Sequence, residues 1–230
     1  MSVAGQFVKI RATIRNACEK TGRDPSEVKV IAVTKYVTAT RAREAVQSGV
    51  RHLAENRVEG IDEKQDIMTS ENVSWHFIGT LQSRKAKHVV NRIQYLHSLD
   101  HLSLANQIEK YSDGVLKCFV QMNILGEESK RGLSEAELLP FVEMLKDYKK
   151  ICVIGLMTMA PHTDNEAIVR KVFQRLKQWQ LRIQKLGYSH APCQELSMGM
   201  SNDYALAVEE GATFVRIGHA LVGKDDSIKE

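Results

Sequence analysis

Three short segments carry residue types suited to a carbonyl compound with an anionic tail. The first is Val33-Thr34-Lys35-Tyr36, where a run of apolar, β-branched residues ends in a lysine. A lysine at a strand end is partly desolvated. Desolvation favours the neutral amine, the form that attacks a carbonyl to make a Schiff base. The second is Leu196-Ser197-Met198-Gly199-Met200-Ser201-Asn202-Asp203, in which Gly199 permits an unusual backbone angle and Ser201 suits a helix N-cap with a free hydroxyl. The third is Arg216-Ile217-Gly218-His219-Ala220, where Gly218 lets the backbone approach an anion and its amide and that of His219 are candidate donors. Two helix N-termini converging there would favour a dianion such as phosphate. Each segment alone also has an ordinary reading: a solvent-facing lysine after a strand, a tight strand-to-helix turn, a glycine-bearing chain end. Together they describe a ligand with an aldehyde at one end and a phosphate at the other.

For one ligand to span them, the intervening elements must bring the three segments together. After an amphipathic opening helix over 3–21, strand patterns are expected at 28–34, 52–54, 75–78, 95–98, 115–123, 151–157, 195–197 and 213–217. Helical patterns lie between them at 39–48, 56–68, 83–90, 102–111, 134–145, 165–186 and 202–210, with Ser134 and Glu137 spaced as a capping box. The 151–157 run is almost continuously apolar, as in a strand buried on both faces. Strict alternation with eight strands favours a closed parallel (β/α)8 TIM barrel, an open doubly wound sheet being the alternative. About a dozen residues follow the last strand, too few for a full outer helix, so the opening helix is expected to complete the outer ring. In such barrels reactive groups sit at the carboxyl ends of the strands, phosphate sites recur after strands seven and eight, and strand one adjoins strand eight.

Composition narrows the class. The 230 residues, 43% of them apolar, suit one domain over 1–230 with a substantial core, and no linker or repeat divides them. The formal charge of +4 is spread among interspersed acids and bases, so a mixed solvated surface is expected rather than a nucleic-acid face. Cys18, Cys118, Cys152 and Cys193 lack paired metal-ligand spacing and read as reduced core thiols; no metal is expected. No apolar stretch is long enough to span a membrane and no signal core opens the chain, so the cytoplasm is the expected compartment.

The segments Val30-Ile31-Ala32-Val33-Thr34-Lys35, Ala54-Glu55-Asn56-Arg57-Val58, Trp75-His76-Phe77-Ile78-Gly79-Thr80-Leu81-Gln82, Gly155-Leu156-Met157, Ser197-Met198-Gly199-Met200-Ser201 and Arg216-Ile217-Gly218 resemble the YggS/PROSC family of pyridoxal phosphate (PLP) homeostasis proteins. The match runs in order along nearly the whole chain. It implies a fold like the N-terminal barrel of alanine racemase and pyridoxal 5′-phosphate held as a Schiff base on Lys35. It further implies that Ser201, Gly218 and His219 bind the phosphate, that Arg216 faces the pyridine nitrogen, and that Asn56 lies beside the ring. An arginine there keeps the nitrogen unprotonated and weakens the ring as an electron sink. Two positions depart from the family pattern: Ala54 replaces a glycine, and His219 replaces a threonine whose hydroxyl contact is lost.

The resemblance implies a carrier in intracellular vitamin B6 homeostasis without strong catalytic activity, a monomer that could supply PLP-requiring apo-enzymes. The alternative is a PLP-dependent amino-acid racemase. Two-base racemisation needs a second acid or base on the opposite face, which alanine racemase takes from a separate C-terminal domain; none is expected here. Tyr36 adjoins Lys35 on the same strand end and is poorly placed for that role. A Schiff-base aldolase without cofactor explains Lys35 and leaves the phosphate cradle to its substrate. Other residues have bland expectations. His76 reads as a satisfied core histidine, the basic run 83–88 as a solvated face, and Met157 and Met159 as packing, while the 127–132 loop reads either as a cover for the site or as an ordinary exposed loop.

Overall fold

The computed structural model describes residues 2–69, 71–127 and 130–223. Its eight strands are β1 (Lys29–Val33), β2 (His52–Glu55), β3 (Ser74–Phe77), β4 (Tyr95–Leu99), β5 (Leu116–Gln121), β6 (Ile151–Met157), β7 (Glu195–Ser197) and β8 (Phe214–Ile217). All pair in parallel and in chain order, and β1 pairs with β8 to close the barrel. The closed alternative is therefore the observed one. The helices are α1 (Val3–Thr21), α2 (Ala39–Gln47), α3 (Val58–Ile67), α4 (Leu102–Tyr111), α5 (Glu135–Met144), α6 (Glu166–Gln184), α7 (Tyr204–Glu209) and α8 (His219–Val222).

Local signals place most boundaries. Ser134 and Glu137 make the reciprocal capping box that starts α5. Asn165 caps α6 by accepting the amides of Ala167 and Ile168. Helix α1 packs against α2, α7 and α8, and so completes the outer ring beside the short last helix. The basic segment departs from expectation: Ser83–His88 is a 3-10 helix, with Ala86 buried and Arg84, Lys85, Lys87 and His88 exposed.

The apolar residues form two bodies. A large layer fills the space between strands and helices. A smaller plug of Ile31, Ala54, Phe119, Met157 and Phe214 lies inside the barrel. Alternating side chains of every strand point inward, so the barrel is packed rather than hollow. The methyl of Ala54 is wholly buried in that plug. Among the described residues the four cysteines are free, Cys152 being half-buried and the other three buried. No helix of the described residues is long and apolar enough to cross a membrane.

Candidate functional site

The carboxyl ends of the strands open on a cavity of about 840 Å3 lined by Lys35, Asn56, Ser201, Arg216, Gly218 and His219. All six residues singled out in the sequence thus face one space, within the range of roughly 300–1,000 Å3 usual for small-molecule pockets.

Lys35 leaves β1 on a firmly held base. The Thr34 amide donates to the Ala54 carbonyl at 3.0 Å, and its hydroxyl donates to the Glu55 carboxylate at 2.5 Å. Glu55 is itself paired with Lys64 at 3.0 Å, and all three of these residues are buried. Lys35 is half-buried, with its ammonium 4.4 Å from the centroid of the neighbouring Tyr36 ring. Asn56 follows β2 directly and packs on Gly79, where an added Cβ would stand 2.6 Å from the Asn56 Cβ. The glycine after β3 therefore fixes how closely Asn56 can settle at the cavity wall.

The two glycine turns meet as expected but with different capping. Gly199 has φ +91°, a conformation L side chains rarely adopt. Ser201 is not an N-cap: α7 starts three residues later with Asp203 at its cap position. The Tyr204 amide closes the preceding turn on the Met200 carbonyl at 2.9 Å. Ser201 Oγ instead accepts the Ala220 amide at 3.4 Å, so its hydroxyl joins the two turns. The reason lies in Asp203, whose carboxylate takes the Met200 amide at 2.5 Å and holds 201–203 as a turn ahead of the helix. Gly218 occupies the N-cap position of α8, and His219 is exposed at the cavity edge.

Arg216 is 4% exposed. One guanidinium nitrogen donates to Ser197 Oγ at 2.6 Å and another to the Thr158 carbonyl at 2.9 Å. Burial lowers its pKa to about 10, so the group remains cationic at neutral pH. Burial also raises the pKa of the nearby Asp203 carboxyl, whose charge in turn favours the Arg216 cation.

Sequence reading missed part of the lining. Met159, Ala160, Pro161, His162, Thr163 and Asp164, between β6 and α6, form one wall. The available signal was the Ala160-Pro161 break followed by the Asn165 cap. Met159 is 36% exposed rather than packed, whereas Met157 is buried. Of the 127–132 loop, Glu128 and Ser129 lie outside the described residues. Lys130 reaches the Ala160 carbonyl at 3.2 Å and so tethers the loop to that wall. His76 is fully buried with both ring nitrogens bonded, a satisfied core histidine. Among the described residues no group of His, Cys, Asp and Glu could hold a metal ion.

Residues 8–226 match the family described as alanine racemase, N-terminal domain. The chain is 33% identical to a pyridoxal phosphate homeostasis protein of Aquifex aeolicus, covering 97% of this chain and 99% of that one. It is 36% identical to the protein of that name from Pseudomonas aeruginosa, covering 98% and 96%. The solved structure of PipY from Synechococcus elongatus with PLP bound superposes with a TM-score of 0.84 at 31% identity, covering 96% of this chain and all of that one. Barrel closure, the matched span and near-complete coverage of both relatives agree, and the chain belongs to the pyridoxal phosphate homeostasis protein family, within the alanine racemase N-terminal domain fold.

Proposed function

We propose that this chain binds pyridoxal 5′-phosphate at the barrel mouth, carries it as a Schiff base on Lys35, and serves cofactor homeostasis rather than turnover of a substrate of its own. The observation that carries this reading is the shared cavity: the Lys35 amine, the one lysine at its wall among the described residues, and the paired Ser201 and Gly218 turns face the same space. The donor set suits the ligand. Lys35 supplies an amine, Ser201 a hydroxyl, and Arg216 a buried guanidinium already fixed by two hydrogen bonds. Ser201, Gly218 and His219 would hold the phosphate, and Asn56 would lie beside the ring. The bound cofactor would supply a reactive aldehyde and an electron-withdrawing ring. Arg216, cationic and able only to donate, would leave the pyridine nitrogen without a proton and so moderate that ring. This suits retention and delivery better than turnover. Delivery to PLP-requiring apo-enzymes, a monomeric state and a cytoplasmic setting belong to the same proposal.

The test is spectroscopic. Purified protein given PLP is expected to show a visible absorbance band that borohydride fixes as a label on Lys35. Lys35→Ala is expected to abolish band and label while leaving thermal unfolding unchanged. A band that persists in Lys35→Ala, or a label on another residue, would overturn the assignment. Loss of α-deuterium from labelled alanine or serine faster than with free cofactor would establish the racemase alternative.

A further inference from the structure

Beneath the cavity a line of hydrogen bonds crosses the barrel interior. His52 Nδ1 lies 2.9 Å from His76 Nε2, His76 Nδ1 lies 2.8 Å from His97 Nε2, and His97 Nδ1 lies 2.8 Å from Ser197 Oγ. These residues come from β2, β3, β4 and β7, and the line ends where Arg216 of β8 donates to the same Ser197 Oγ at 2.6 Å. His76, His97 and Ser197 are completely buried. His52, at the amino end of β2, is half-buried and sits near the Lys29–Glu195 ion pair. The remaining faces of the line are covered by Tyr95, Phe119 and Phe214.

Donor accounting gives this line a direction. A guanidinium has only donors, so Ser197 Oγ accepts from Arg216. The Ser197 hydroxyl hydrogen then has His97 Nδ1 as its acceptor. His97 must therefore carry its own hydrogen on Nε2 and donate to His76 Nδ1, and His76 likewise donates from Nε2 to His52 Nδ1. The reverse order would leave the Ser197 hydroxyl hydrogen buried without an acceptor, which folded proteins avoid.

We propose that Arg216 sets the polarity of this imidazole line, and that Ser197 and His97 act in return as positioning residues that hold the guanidinium toward the cavity. The Ser197 and Thr158 bonds engage two of the five guanidinium N–H groups and fix its plane; the other three have no hydrogen-bond partner among the described residues. A cation at His97 would repel Arg216, and burial together with the Arg216 charge keeps His97 neutral. The proposal rests on the cofactor reading only where ligand affinity is concerned.

The direct experiment is long-range 15N–1H correlation of the imidazoles in ligand-free protein at neutral pH. All three rings are expected as the neutral Nε2–H tautomer; an Nδ1–H tautomer at His76 or His97 would overturn the proposal. The second arm compares Ser197→Ala with Ser197→Thr, both checked by thermal unfolding. Ser197→Ala is expected to lose the fixed tautomer at His97, to shift the absorbance maximum of added PLP, and to weaken PLP binding about tenfold; Ser197→Thr is expected to restore all three. An unchanged tautomer and affinity in Ser197→Ala would defeat the positioning role. Should Ser197→Ala fail to fold, the His76 tautomer, the absorbance maximum and the PLP affinity of His97→Gln against those of Ser197→Thr decide. If the unsubstituted protein shows no band with PLP, the cofactor reading fails, and the tautomers alone judge the line.

Discussion

At the scale of single residues, the two glycines of the candidate phosphate cradle differ in what the fold asks of them. An added Cβ at Gly199 would stand 2.5 Å from the Ala207 Cβ, on a backbone at φ +91°. At Gly218 the nearest atom would be the Val33 Cβ at 3.6 Å, an ordinary contact. Gly199→Ala is therefore expected to destabilise the protein by more than about 1 kcal/mol. Gly218→Ala is expected to fold normally but to weaken binding of PLP, and of inorganic phosphate as competitor, about tenfold or more. Thermal unfolding and spectral titration of the two variants would separate the roles, and normal PLP affinity in a folded Gly218→Ala would remove that turn from the binding site. Both positions were legible in the sequence, because an isolated glycine between a strand and a helix is a local signal. The cap position of the following helix was not, and the sequence wrongly suggested Ser201 for it. Serine, asparagine and aspartate stand in succession at 201–203, and only the Asp203 carboxylate bonded to the Met200 amide shows which residue shapes the turn.

At the scale of elements, the exit of β1 depends on β2 and α3. Thr34, Glu55 and Lys64 form one buried chain of a hydroxyl, a carboxylate and an ammonium. Gly60 leaves room for it, since a Cβ there would lie 2.5 Å from a Glu55 carboxylate oxygen. Removing one partner from a buried ion pair strands the other charge, which costs about 3–5 kcal/mol. Lys64→Ala should lower stability by that order in denaturant unfolding, and Glu55→Gln/Lys64→Met together should recover much of the loss. A Lys64→Ala variant as stable as the parent would show that water reaches Glu55. The 56–68 region was recognisable as a helix from its sequence, but nothing in the sequence singled out Lys64. Helical periodicity assigns a stripe of residues to the core; it cannot show that a lysine on that stripe will meet a buried glutamate from the preceding strand.

At the scale of the whole molecule, the barrel interior makes the fold sensitive to acid. Burial lowers the pKa of His52 to about 4, and lowers those of His76 and His97 well below the usual histidine value. Between about pH 6.5, where an unfolded histidine titrates, and the lowered folded values, the unfolded chain binds more protons than the folded one. Stability therefore rises with pH across that window. The contribution of the neutral rings is fully present above about pH 6.5 and is lost progressively as the pH falls toward 4. Denaturant unfolding from pH 7 to 4.5 should show this loss, and His52→Asn should reduce its slope. A parent protein with flat stability across the window would mean the rings are not held neutral.

Taken alone, the sequence determined the order of the elements, barrel closure as the favoured topology and, with the family resemblance, six of the residues that line the mouth. These are properties of neighbours along the chain: strand runs, helical stripes, glycines at turns, a lysine at a strand end. Tertiary structure alone decided which distant residues meet. His97 and Ser197 are 100 residues apart, Arg216 and Thr158 are 58 apart, and each pair is in hydrogen-bond contact. Closing a sheet of strands into a ring sets such partners by register and stagger around the barrel, quantities that no local stretch of sequence carries.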